Sequence, residues 1–152
     1  MRLTRYTDYA LRVLIHLAAR SGELCSIGEI SRVYGISQNH LMKVVNDLAR
    51  AGFIASARGR GGGIRLGRPA AEISVGAVVR HTEGGFELVD CGRCVIAPAC
   101  GMNSMLDEAL GAFMAVLDRY TLADLTARRA DLRSLFGIVE AAQTAVPGSV
   151  GA

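Results

Sequence analysis

Residues 26–67 read SIGEISRVYGISQNHLMKVVNDLARAGFIASARGRGGGIRLG, and this stretch decides the fold. Ser26 is placed to cap a short helix, and Glu29, three residues on, completes a capping box. Ile27, Ile30 and Val33 supply its apolar side, and Gly35 closes it. Ser37 then caps a longer helix whose apolar residues Leu41, Val44, Val45 and Leu48 keep helical spacing, with Gly52 as its stop. Two helices joined by the tight turn Gly35-Ile36-Ser37 predict a helix-turn-helix. Next, Phe53 to Ala57 and Ile64 to Gly67 read as two short strands around a tip rich in glycine and arginine. Gly59 and Gly61 to Gly63 let the backbone turn sharply and approach another surface closely. A helix-turn-helix followed by a basic β-hairpin is the layout of a winged helix.

Charge agrees with that layout. Residues 1–70 carry 11 Lys/Arg against 4 Asp/Glu, a net of +7, whereas residues 71–152 carry 6 against 10, a net of −4. A basic first half suits a polyanion-binding module. At the start of the second helix, Ser37, Gln38, Asn39 and His40 offer short polar side chains that reach base edges in a major groove. Lys43, one turn on, and Arg58, Arg60, Arg65 and Arg68 of the hairpin suit phosphate contacts, and Arg58 or Arg60 suits a narrow minor groove. The expected partner is double-stranded DNA. The stretch GRGGG lacks a Walker lysine and opens no helix, which argues against a nucleotide phosphate loop.

Working outward, Ala10, Val13, Leu14 and Leu17 predict a first helix ended by Ser21-Gly22, and residues 72–84 predict a short helix after the wing, with His81 near its end. A longer helix is expected from Asn103 or Ser104 to about Asp118. Its apolar positions Met102, Leu106, Ala109, Phe113 and Val116 are widened by Met105, Leu110, Met114 and Leu117. So broad an apolar surface predicts burial against a second copy as well as its own subunit. Such a homodimer suits a two-fold symmetric operator. Thr121 caps the short segment TLADLTA, residues 131–141 predict a last helix, and the tail reads as disordered. The fold class expected is mainly α with a small β-hairpin, a winged helix-turn-helix plus a long dimerisation helix. The divisions are 1–80 for the DNA-binding domain, 81–102 for a loop region, 103–140 for the dimerisation and C-terminal helices, and 141–152 for the tail.

Three of the four cysteines, Cys91, Cys94 and Cys100, crowd into CGRCVIAPAC. The N-terminal segment is broken by charges and does not read as an export signal, and no apolar run is long enough to span a membrane. The expected compartment is the reducing cytosol, where grouped thiols more often bind metal than form bridges. Four readings compete: buried structural cysteines, a thiol–disulfide switch through Cys91 and Cys94, structural zinc, and an iron–sulfur cluster. Zinc lacks a nearby fourth ligand, whereas a cluster tolerates one that is not cysteine. Cys25 lies apart and reads as a small buried hydrophobe. No nucleophile–base pairing or cofactor fingerprint points to an enzyme. A cluster carrier or electron-transfer protein is the rival class, but it has no use for a basic wing.

The segments MRLTRYTDYALR, ARGRGGGIRLGRPAAEISVG and DRYTLADL, together with the helix-turn-helix and the three cysteines, resemble the bacterial winged-helix regulators that include IscR, RirA and the nitric-oxide-sensing repressor NsrR. The resemblance runs over roughly residues 1–136. It implies a homodimeric repressor whose loop cysteines hold an iron–sulfur cluster, [4Fe-4S] rather than [2Fe-2S]. The IscR type places a histidine three residues after the last cysteine, where this chain has Asn103. The NsrR type is similar in RYTDYALR, which implies Asp8 as a fourth ligand from the other subunit and nitric oxide as the signal. The cluster-bound form is expected to hold DNA and nitrosylation to release it. Only two residues, Gly92 and Arg93, separate the first two cysteines, fewer than is usual in the family, and an iron-responsive, RirA-like or redox-responsive regulator is the alternative.

Overall fold

The computed structural model describes residues 2–138. The expected tail, residues 141–152, lies outside the described residues. Among the described residues, seven α-helices and one two-stranded sheet follow in the order α1 (Arg5–Ala19), α2 (Ile27–Tyr34), α3 (Gln38–Arg50), β1 (Ile54–Ala57), β2 (Gly63–Leu66), α4 (Val75–Thr82), α5 (Met102–Asp118), α6 (Leu122–Leu125) and α7 (Arg129–Leu135). The protein is mostly helical with a small β-hairpin, as the periodicities predict.

Local chemistry sets most boundaries. Ser26 accepts the Glu29 N–H while Glu29 reaches back to the Ser26 N–H, so both halves of the capping box form. Gly35 ends α2 in the left-handed region at φ 63°, where a side chain is disfavoured. Thr4 caps α1, which therefore begins at Arg5, ahead of the Tyr9 from which its periodicity is read. Thr121 and Asp124 form a second capping box on α6. The last helix differs from expectation. It starts at Arg129 and stops at Leu135, the stop set by the left-handed backbone at Gly137 (φ 69°); residues 139–141 of the expected helix lie outside the described residues.

One core joins α1, α2, α3, the hairpin and α6 around Leu14, Leu17, Ile30, Leu41, Leu48 and Leu122, each no more than 1% exposed. Cys25 is 1% exposed within it and exchanges two backbone hydrogen bonds with Ile64 of β2, at 2.9 and 2.8 Å. The wing is thus stitched to the strand-like segment ahead of α2. A smaller core holds α4 against α5 through Val75, Val79 and Met114, with Leu110, Phe113 and Leu117 beside them. On the other side of α5, Met102, Met105, Ala109 and Val116 are exposed within the protomer. Arg80 and Asp118 join the two helices by a two-pronged ion pair, each contact 2.6 Å. Among the described residues, no helix is long and apolar enough to cross a membrane.

Candidate nucleic-acid interface and thiol loop

Helix α3 divides cleanly between its two faces. Leu41, Val44, Val45 and Leu48 are buried, while Gln38, Asn39, His40, Met42, Lys43, Asn46 and Arg50 face outward. Ser37 is exposed, but its hydroxyl already accepts the His40 N–H at 3.3 Å, so its first task is capping. The His40 ring lies 6.4 Å from that of Tyr9. Between them opens a groove of about 280 Å³ lined by Arg5, Tyr6, Tyr9, His40, Lys43 and Val44. Arg5 therefore stands beside Lys43 and His40. The sequence reading missed it, because nothing in the spacing of α1 shows which turn of α3 its first residue meets.

The hairpin pairs Ile54 with Leu66, Ala55 with Arg65, Ser56 with Ile64 and Ala57 with Gly63. Ile64 points into the core and Arg65 out, the alternation of a strand with one wet face. Arg58 and Arg60 are exposed at the tip, where Gly59 (φ 96°) and Gly61 (φ 77°) take left-handed backbone. Arg68 is also exposed, yet its guanidinium lies 4.8 Å over the Phe53 ring and is partly committed there. The close approach predicted for the glycines is made to the chain itself. A Cβ on Gly62 would come within 2.4 Å of the Ala57 carbonyl oxygen, and one on Gly63 within 2.8 Å of that of Cys25.

Asp47 ties the back of α3 to its neighbours. Its Oδ2 accepts the Tyr6 hydroxyl at 2.9 Å and lies 3.0 Å from His81 Nε2 on α4. Burial and the Asp47 carboxylate together push the Tyr6 phenol up to about 12. His81, exposed near the end of α4, thus holds α3 to α4.

Helix α4 leads into the thiol loop. Thr4 donates to the Glu83 carboxylate through its N–H at 2.8 Å and its hydroxyl at 3.1 Å. Against the opposing effect of partial burial, the Thr7 side chain and the Thr4 donors hold the Glu83 carboxyl below its ordinary range. The Thr7 and Thr82 hydroxyls meet at 2.9 Å. The first turn of α1, which carries Asp8, is therefore fastened to the root of the loop. Within the loop, backbone bonds run from Cys94 to Cys91 (3.3 Å), from Ala97 to Cys94 (3.1 Å) and from Cys100 to Ala97 (3.4 Å). These successive tight turns place all three cysteines at turn corners. Gly92 donates to Asp90 Oδ1 at 3.0 Å, which fixes the entry.

All three thiols are free; Cys94 is exposed, and Cys91 and Cys100 are half-buried. Cys91 lines a cleft of about 500 Å³ between the loop and the start of α5, with Phe86, Asn103, Leu106 and Leu110 among its walls. Among the described residues, no three His, Cys, Asp or Glu side chains are arranged to hold one metal ion. The donor set still fits a cluster: three soft sulfurs on a short, turn-rich segment, without bonds that occupy them. Beside them, Val95 is 92% and Ile96 59% exposed. Asp8 is not near this set within the protomer. Its Oδ1 accepts from Arg12 Nε at 2.9 Å, and it lines an open cleft with Arg5, Tyr34, Gly35 and Ile36, at the turn between α2 and α3.

The Rrf2 family model, described as an iron-dependent transcriptional regulator, matches residues 3–128. The HTH-type transcriptional regulator NsrR of Bacillus subtilis (strain 168) is 51% identical over 146 residues, which span 92% of this chain and 100% of the relative. Among solved structures, the oxidized form of Staphylococcus aureus CymR superposes with a TM-score of 0.68 at 30% identity, over 82% of this chain and 95% of that one. T. potens IscR shares the fold with a TM-score of 0.70 at 24% identity, over 88% and 91% of the two chains. With its winged helix-turn-helix and a family match over most of its length, the chain belongs to the Rrf2 family of transcriptional regulators.

Proposed function

We propose that the protein is a cytoplasmic, homodimeric transcriptional repressor that holds an iron–sulfur cluster, [4Fe-4S] in type, and loses its grip on DNA when the cluster meets nitric oxide. The observation that carries this reading is the fastening of α1 and α4 at the root of the thiol loop, through Thr4, Glu83, Thr7 and Thr82. The kinship with NsrR over nearly the whole chain supports it. Cys91, Cys94 and Cys100 hold the cluster, and Asp8 of the second copy completes it. When bound, the cluster supplies an iron whose carboxylate ligand is held more weakly than its thiolate ligands, open to attack by nitric oxide. The second copy covers the exposed side of α5. The division at 1–80, 81–102, 103–140 and 141–152 belongs to this proposal.

Each DNA contact has a distinct task. Gln38 and Asn39 present amides to base edges, and His40 a ring nitrogen. Ser37 keeps a hydroxyl proton to donate after capping. Lys43, Arg65 and Arg5 neutralise phosphates, and Arg58 and Arg60 follow the minor groove. Asp8 pairs with Arg12 and borders the Gly35–Ile36 turn, so a change in its partner is felt where α2 meets α3.

Anaerobic purification, iron and sulfide counts, and a nitric oxide titration followed by absorbance and operator binding test the proposal. Colourless, iron-free protein that binds its operator equally before and after the gas refutes it. A second reading, iron-responsive control, is favoured by the two-residue spacer between Cys91 and Cys94 and by the family description. Release of DNA by an iron chelator without nitric oxide identifies that case.

A further inference from the structure

His16 on α1 is 1% exposed, yet neither ring nitrogen has a hydrogen-bond partner among the described residues. One face of its ring stacks on Phe136 at 4.4 Å, and Tyr34 meets it edge-on at 5.9 Å. Arg20, one turn on and 9% exposed, has one end of its guanidinium on Glu29 and the other 4.0 Å from Glu23, while its Nε–H is unpartnered among the described residues. Unpaired buried groups of this kind destabilise a fold unless something else uses them. Both residues line the wall of an open cleft of about 630 Å³ between α1, α2 and the end of α7, within the usual size of a small-molecule site.

The chemistry of the walls narrows the occupant. Burial, with the positive charge of Arg20, pushes His16 down to about 4, so at neutral pH it offers one N–H and one lone pair. The Arg20 Nε–H is a second donor. Arg32 uses only its Nε on the Gly28 carbonyl, at 3.3 Å, which leaves the rest of its guanidinium at the rim. Among the described lining residues Glu29 is the one carboxylate, and it is taken up by Arg20 and the Ser26 N–H. Donors thus outnumber acceptors. Opposite them, Val33, Leu135 and Phe136 form an apolar wall, with Leu135 80% exposed.

We propose that this cleft binds a small organic carboxylate, its oxygens on the exposed Arg32 guanidinium and, as the Phe136 ring shifts to uncover them, on the buried His16 and Arg20 nitrogens, with its carbon body against Val33 and Leu135. The occupant bridges α2 to α1 and α7. α7 is already pinned to the end of α1, where Arg129 Nε donates to the Ala19 carbonyl at 2.8 Å. Because α2 runs directly into the Gly35 turn ahead of α3, occupancy changes DNA affinity; this last step alone rests on the DNA-binding reading.

The test uses the full chain and sodium benzoate as probe, with benzamide and inorganic phosphate as controls. Binding is read by amide NMR shifts without DNA, so failure of the DNA reading leaves the result intact. Saturable shifts centred on residues 16–20 and 29–34 are expected, at least about tenfold weaker with either control. His16→Phe keeps the stacked ring and removes both nitrogens. It should weaken benzoate about tenfold while raising the thermal midpoint by about 2–4 °C, since a buried unpartnered group is replaced by an apolar one. Arg32→Gln, at the exposed rim, should weaken benzoate similarly and leave the midpoint unchanged. The site is overturned by no saturable shift up to about 10 mM, by benzamide binding as well as benzoate, or by unchanged affinity in both variants. A lower midpoint for His16→Phe refutes the premise that the nitrogens are unused.

Discussion

Gly63→Ala tests how the wing is held. Gly63 pairs with Ala57 in the hairpin, and its backbone does not need the left-handed region. A methyl there nonetheless meets the Cys25 oxygen at 2.8 Å and the Cys25 carbon and nitrogen at 3.2 Å. The Cys25 N–H donates to the Ile64 carbonyl at 2.9 Å and its carbonyl accepts the Ile64 N–H at 2.8 Å, so making room for the methyl stretches both bonds. Each is worth about 1 kcal/mol, and overpacking adds about 1–3 kcal/mol. Reduced freedom of the unfolded chain returns about 0.4–1 kcal/mol. The expected net loss is about 2–4 kcal/mol. Urea unfolding followed by circular dichroism, with the slope unchanged, measures it. Gly84→Ala is the control: a methyl there has no neighbour within 4 Å, so only the reduced freedom of the unfolded chain acts and stability should rise by about 0.4–1 kcal/mol. The loosened segment should also expose the Cys25 thiol, which is 1% exposed and pushed up to about 12 by burial, to alkylation mapped by mass spectrometry. A stability within about 0.5 kcal/mol of the parent, with Cys25 still protected, refutes the stitched-wing argument.

Three further outcomes are expected. Cys94→Ala should abolish cluster assembly and regulated binding while leaving a folded dimer; a variant with full iron and sulfide contradicts the ligand assignment. Arg60→Ala should weaken binding to all duplexes and reduce the salt slope by about one phosphate contact, and unchanged affinity removes the wing tip from the interface. His16 titrates near 4 in the folded chain against about 6.5 unfolded, so its contribution is complete above pH 6.5 and is lost as the pH falls toward 4. The loss is at most about 3 kcal/mol, and chemical denaturation from pH 7 to 4 should show it shrinking in His16→Phe.

The sequence is most legible where structure is local. The Ser26–Glu29 box, the Ser37 cap, the Gly35 stop and the Thr121 cap each depend on side chains within four residues, and each forms. The outward set on α3 follows from helical period alone. What the sequence hid depends on distant partners. Asp47 looks like any polar helix residue until Tyr6 and His81 arrive from 41 and 34 positions away. Gly63 looks like turn chemistry until Cys25 crosses it. His16 occupies an ordinary core position of α1, and its idle nitrogens show only once Phe136 lies over the ring. The start of α5 at Met102 has no side-chain cap, so it left no signature to read.

One carboxylate oxygen, Asp47 Oδ2, receives both Tyr6 and His81. The recognition helix consequently has little independent travel: pulling on it drags its two neighbouring helices along. In the dimer proposed above, a signal arriving through α4 would reorient each half as a block, altering the separation and phasing of the two reading heads rather than the chemistry of either. Operators with one or two base pairs inserted between half-sites should mimic the released state, while a single half-site should be blind to the signal.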